Sequence, residues 1–171
     1  MARDRQLVLA ATFFTVVVLL HNSDHARRGV DSINRDVFWA GTASVLLEVA
    51  VVVLACQRHR WAPLAAAVTG FSLATGYVVV HFLPPRSLLS DSLTGGRGAA
   101  VSIVAASLEV VAALALGTAG YLALHERGGL TSAAEPHSRQ RPLAEAVRHP
   151  AVVAMVVGQA VILTISLVQI T

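Results

Sequence analysis

No lysine occurs anywhere in the 171 residues: all 13 basic side chains are arginine, set against 10 carboxylates, for a formal net charge of +3. Charged residues make up only 13% of the chain and apolar ones 55%, so a soluble core is the wrong picture. Mean hydropathy is +0.65, and several apolar runs approach the roughly 20 residues that span a bilayer's hydrocarbon. The chain therefore belongs among polytopic membrane proteins. The pI near 10 reflects loop arginines facing headgroups and water, and no aromatic-interleaved basic patch is present for nucleic acid.

Cysteine is almost missing as well. Cys56 is the single one, which excludes an intramolecular disulfide and any cysteine-cluster metal site; at the end of an apolar run it reads as a packed or interfacial thiol. There is no P-loop, no GxSxG elbow, no HExxH, no dinucleotide fingerprint and no gating arginine array. The bundle is also small for a secondary transporter with broken helices.

Five apolar stretches are present: Gln6 to Ser23, Val37 to Cys56, Ala62 to Leu83, Gly98 to Leu124 and Ala151 to Ile170. They must be helices, because a spanning segment has to satisfy its own backbone hydrogen bonds. The fold class is thus all-α, a transmembrane bundle of five helices forming a single membrane domain over residues 1–171. Breakers mark the ends: "RHRWAP", "PPRS", "TGGRG", "HERGG" and "RHP". Residues 125–149 form the long loop, and "PLAEAVRH" within it reads as a short interfacial helix. The start "MARDRQLVLAATFFTVVVLL" has the charged head and apolar core of a signal peptide without a small-x-small cleavage site, so it reads as an uncleaved first span. Eight arginines fall on the side of the N-terminus and five on the other, which predicts a multi-pass cell-membrane protein with a cytoplasmic N-terminus and a cytoplasmic loop 125–149.

The spans also resemble one another. "SVLLEVAVVVLA" around Glu48 matches "AASLEVVAALAL" around Glu109, and "VVVLLH" ending at His21 matches "YVVVH" ending at His81. This is the pattern of a tandem repeat of helix pairs, spans 1–2 and 3–4, plus a fifth helix. Its consequence is that His21 and His81 occupy equivalent depths, as do Glu48 and Glu109.

The polar chemistry concentrates in "HNSDHARRG". On a helix continuing through it, His21, Asp24 and His25 stand at i, i+3 and i+4 and share a face. One reading is a metal site, with His81 as a further ligand and Asp91 or a water completing the shell. Another is proton chemistry on Asp24, oriented by a histidine. A third is a helix end at the headgroups, with Asp24 paired to Arg27 or Arg28. Glu48 and Glu109 lie too deep to snorkel, where an ionised carboxylate costs at least a few kcal/mol. Gly41 and Ser44 precede the first, and Ser102, Ala105 and Ala112 flank the second, marking faces that pack closely or leave room for a ligand. If the two glutamates meet, at least one is neutral at pH 7; otherwise each is interhelical glue. Phe38, Trp39, Tyr77 and Phe82 are belt anchors or a pocket wall for a cationic intermediate. Thr69, Ser72, Thr75 and Gly76 make a small, mildly polar stripe, and Gln159 reads as an interhelical hydrogen bond or a pocket-lining group.

At "HNSDHARRG" together with "HFLPPRSLLSD" the chain resembles a group of small bacterial membrane proteins with an H-N-x-D-H stretch, followed by a histidine and a Ser-Asp pair in a later loop. In size and five-span plan it is also similar to the membrane-bound terpene cyclases of drimentine-type indole-terpenoid pathways. That resemblance implies protonation of a terminal alkene or epoxide on a prenyl chain, then carbocation cyclisation by an enzyme of isomerase or lyase type. The expected machinery is Asp24 as donor, oriented by His21 or His25. Glu48 and Glu109 are alternative acid or cation stabiliser, His81 or a water is the final base, and Asn22, Phe38, Trp39, Tyr77, Phe82 and Asp91 contact substrate. The partners are a lipid-soluble prenylated substrate and membrane lipids, with no nucleic acid and no cofactor. The alternatives are a divalent metal or haem held by His21, His25 and His81, or a non-catalytic membrane subunit or proton-coupled carrier.

Overall fold

The computed structural model describes residues 2–29, 33–82, 99–126 and 141–169. Among them there is no strand. The elements in order are α1 (Ala2–Arg28), α2 (Arg35–Cys56), α3 (Ala62–Phe82), α4 (Ala99–Glu126), the single turn α5 (Leu143–Ala146) and α6 (Pro150–Val168). All but α5 are long and apolar enough to cross a membrane, so the chain is a multi-pass membrane protein with an all-α fold. Large apolar side chains such as Leu9, Leu46, Val68, Val104 and Val157 point outward, as a lipid-facing surface requires.

The expected spans match these helices to within a few residues, with one consequential difference. α1 does not stop at the headgroup residues but continues through "HNSDHARR" to Arg28. Its cationic last turn, His25, Arg27 and Arg28, suits the negative end of the helix dipole. Gly29 then takes φ 85°, and its N–H donates to the His25 carbonyl at 3.1 Å, a left-handed stop that glycine makes at least cost. α2 begins with Asn34, whose side chain accepts from Asp36 N–H, and α6 with His149 in the same role before Pro150.

Three helices form the packed centre. α4 lies between α1 and α3, and its seam with α3 is closed by glycines: a Cβ on Gly70 would stand 2.4 Å from Gly117 N, and one on Gly120 would stand 2.5 Å from Ala67 N. Such backbone approach is how helices associate where apolar burial drives nothing. The α1–α2 pair lacks it, since a Cβ on Gly41, the only glycine in α2, would meet nothing within 4 Å. The two halves of the sequence repeat are thus packed differently.

α2 explains the space in the molecule. Its buried residues are Glu48, Val51, Val52, Ala55 and Cys56, all in its second half, so this end is clamped to the core while the first half stands away from it. Cys56 is 1% exposed; a maleimide should label it only after unfolding, and fast labelling of the folded protein in detergent would show that the clamp is loose.

Candidate functional site

At the end of the bundle where α1 and α3 finish, four helices bring titratable side chains together. His21 and His25, one turn apart on α1, have their Nε2 atoms 2.8 Å apart. His81, on the last turn of α3, places its ring 4.8 Å from that of His21 and 5.9 Å from that of His25. Glu109 of α4 directs Oε2 to 3.3 Å from His21 Nε2 and 3.8 Å from His81 Nε2. Glu48 of α2 accepts from Ser44 at 3.0 Å and from the Tyr77 hydroxyl at 3.1 Å, both at Oε1, and Tyr77 also hydrogen-bonds Glu109. His21, Glu48 and Glu109 are each only 2% exposed.

These groups form the floor of a cavity of about 750 Å³, within the range of small-molecule sites. α1, α3, α4 and α6 supply parts of its wall, and the detached half of α2, Val37 to Leu46, supplies the rest. Several of those α2 residues are themselves exposed, among them Trp39 at 50% and Leu46 at 77%, so the cavity communicates with the lipid-facing surface around α2. Its lining is otherwise mainly Val, Leu, Ile and Ala side chains, with Asn22, Thr42, Ser72, Gln159 and Ser166 as further polar groups.

Hydrogen-bond polarity orders the network. Arg28 can only donate, and its Nη2 lies 2.7 Å from His25 Nδ1, so His25 Nδ1 accepts and its Nε2 carries hydrogen. His25 therefore donates to His21 Nε2 and occupies that nitrogen's one lone pair, with Glu109 Oε2 standing beside it at 3.3 Å. The Tyr77 hydroxyl has one proton and two carboxyl neighbours; donating to Glu48, it accepts from Glu109. A proton on the Glu109 carboxyl serves the Tyr77 oxygen, whereas Glu48 Oε1 receives donors from both Ser44 and Tyr77.

The expected residues divide clearly. His21, His25, His81, Glu48 and Glu109 converge, and the depth equivalence read from the repeat holds, since the histidines touch and the glutamates share a tyrosine. Asp24 does not join them. About 100° separates neighbouring helical residues, so Asp24 projects away from the His25 direction, toward α4. There it pairs with Arg27 at 2.6 Å and Arg28 at 3.3 Å and hydrogen-bonds Ser102, a carboxylate held in ion pairs outside the cavity wall. Asn22, Phe38, Trp39 and Tyr77 line the cavity, the two α2 aromatics packing edge to face at 5.2 Å; Phe82 is 45% exposed and is not part of the lining. Asp91 lies outside the described residues. Ser44 as a partner of Glu48 and Arg28 as a partner of His25 follow from i,i+4 and i,i+3 spacing on one helix, whereas Tyr77 as a bridge between carboxyls is an addition that only the helix packing makes visible.

Comparison with protein-family models, with curated proteins and with solved structures found no match.

Proposed function

We propose that this membrane protein is an enzyme that moves protons on a lipid-soluble substrate, with protonation-initiated cyclisation of a prenyl chain as its reaction. The observation that carries this reading is the Glu48–Tyr77–Glu109 bridge on the floor of an apolar cavity. Alkene protonation needs a carboxylic acid in a water-poor space and walls that tolerate a moving positive charge.

Glu109 is the acid in this scheme. Its carboxyl proton goes to the CH carbon of the terminal prenyl alkene, whose π pair forms the C–H bond and leaves a tertiary cation on the dimethyl-bearing carbon. The π pair of the next alkene closes a ring carbon–carbon bond. Loss of a proton from the carbon beside the final cation restores an alkene, and the Glu48 carboxylate accepts that proton. Tyr77 then relays it back to Glu109. One proton enters and one leaves, so product and substrate are isomers and no co-reactant is consumed. The Phe38 and Trp39 faces at the cavity wall suit the passing cation. The arginine bias supports a cytoplasmic N-terminus in the cell membrane, with the histidine end on the outer side and substrate reaching the cavity laterally past α2.

The test is incubation of detergent-purified protein with prenylated indoles, prenyl alcohols and prenyl esters in D2O. The Glu109 carboxyl exchanges with solvent between turnovers, so an isomeric cyclic product carrying one deuterium is expected; a folded protein that converts none of them overturns the proposal.

A second reading is favoured by the nitrogens of His21, His25 and His81 lying within 4.8 Å of one another, a spacing that a divalent metal or haem iron can exploit. The polarity around His25 opposes it, because a metal-bound imidazole donates its other N–H to an acceptor, and Arg28 offers only hydrogens. Elemental analysis and an absorption spectrum of wild type beside the His21→Ala, His25→Ala, His81→Ala triple variant separate the two: near-stoichiometric metal or a haem band in wild type alone establishes the ligand cluster.

A further inference from the structure

The cavity has a second polar station that the proton chemistry does not use. Asn22 Nδ2 donates to Gln159 Oε1 at 3.0 Å, joining α1 to α6. Gln159 thereby has its oxygen taken up by Asn22. Its Nε2 is buried with no hydrogen-bond partner among the described residues, on a side chain that is 7% exposed and lines the cavity. An unpaired buried donor is unfavourable, and an acceptor brought by a ligand relieves that cost. None of the described lining residues is arginine or lysine, so a diphosphate would find no cationic clamp. The titratable groups of the lining and Ser44 sit in the proton network, and Thr42 donates to the Phe38 carbonyl of its own helix at 2.8 Å.

We infer that the Asn22–Gln159 pair is a specificity subsite for a neutral, hydrogen-bond-accepting oxygen, an ester, ketone or ether carried by the lipid-soluble ligand, with Gln159 Nε2 as donor. The inference rests on the proposed function only in taking this cavity as the substrate's. It names the class of substrate: an apolar chain with one uncharged acceptor group held at α6 while the alkene lies over Glu109. A hydrocarbon lacks the anchor, and a prenyl diphosphate carries charge the lining does not meet.

The experiment is competition against tritiated farnesyl acetate on wild-type protein in detergent at equal micellar mole fractions, with β-farnesene and farnesyl diphosphate as competitors. Farnesyl acetate should bind about five- to tenfold more tightly than the hydrocarbon, the difference one net hydrogen bond makes, and the diphosphate should compete no better than the hydrocarbon. In Gln159→Leu and Gln159→Met proteins the ester and hydrocarbon should bind alike. Equal binding of ester and hydrocarbon by wild type, stronger binding of the diphosphate, or an ester preference that survives both substitutions would overturn the subsite. The wild-type comparison decides even if neither variant folds. Binding is read without turnover: a Gln159-dependent ester preference with no deuterium incorporated into any substrate leaves the subsite standing and removes the proton-transfer reading, and cyclisation without that preference does the reverse.

Discussion

Turnover by a Glu109→Gln protein falls roughly a thousandfold, the size of a lost general acid, while the helices stay assembled. Glutamine keeps the volume of the side chain and can still donate to Tyr77, so neither the Tyr77 contact nor the close packing of α4 is forced to change; what disappears is the transferable proton. Glu48→Gln removes the carboxylate that takes the returning proton and lowers turnover to a similar degree. Asp24→Asn behaves differently. It breaks the ion pairs to Arg27 and Arg28 at a side chain only 5% exposed, which should cost about 2 kcal/mol of stability by leaving a part-buried guanidinium short of its partner. Turnover per folded molecule should remain near that of wild type. Product formation measured per folded molecule, with folding followed by thermal denaturation in detergent, checks all three. Full activity in Glu109→Gln together with loss in Asp24→Asn would return the donor role to Asp24 and remove the bridge from the mechanism.

That reversal between Asp24 and Glu109 shows how far the chain could be read before folding. Spans were legible because a run of some 20 apolar residues has one stable form in lipid, and the five long helices follow those runs to within a few residues. The meeting of His21 with His81, and of Glu48 with Glu109, was legible through the internal repeat, which ties positions about 60 apart to one depth. Spacing of i, i+3 and i+4 was a poorer guide, because it spreads His25 and Asp24 over about 100° of helix surface, and a cavity selects only part of that arc. Which part depends on where α4 and α6 pack, and no local pattern states this. The lean of α2 was only partly legible: its first half carries Arg35, Asp36, Thr42 and Ser44 and its second half almost no polar group but Glu48, yet the whole helix is apolar enough to span, and only the second half is buried. Gln159 was visible as a mid-span amide; that Asn22 occupies its oxygen while its nitrogen stays buried without a partner among the described residues follows from the approach of α6 to α1.

The seam between α3 and α4 was not legible at all, and it carries the second large effect. Gly70→Ala and Gly120→Ala should each destabilise the bundle by about 3 kcal/mol or more, at the upper end of overpacking costs, although alanine is the better helix former by about 1 kcal/mol. The sign follows from what the new methyl meets. At Gly70 it lies 2.4 Å from Gly117 N, 2.6 Å from Gly117 Cα and 2.7 Å from the Ala113 carbonyl; at Gly120 it lies 2.5 Å from Ala67 N and 2.6 Å from the Pro63 carbonyl. Every one of these atoms is backbone, so relief requires the helices to separate. Gly117→Ala meets the Phe71 ring at 3.0 Å, and Gly158→Ala meets the Leu19 side chain at 2.5 Å; both neighbours can rotate, so these variants should lose far less. Denaturant or thermal unfolding in micelles should therefore rank Gly70→Ala and Gly120→Ala well below Gly117→Ala and Gly158→Ala, and a Gly70→Ala protein as stable as Gly158→Ala would disprove the close seam. The same separation reaches the chemistry, because Tyr77 and His81 ride on α3 and Glu109 on α4. A shift of even half an ångström across the seam lengthens the Tyr77–Glu109 hydrogen bond, so whatever Gly70→Ala protein stays folded should turn over more slowly per molecule than Gly158→Ala, because the glycine seam sets the distance between the two helices that carry Tyr77 and Glu109.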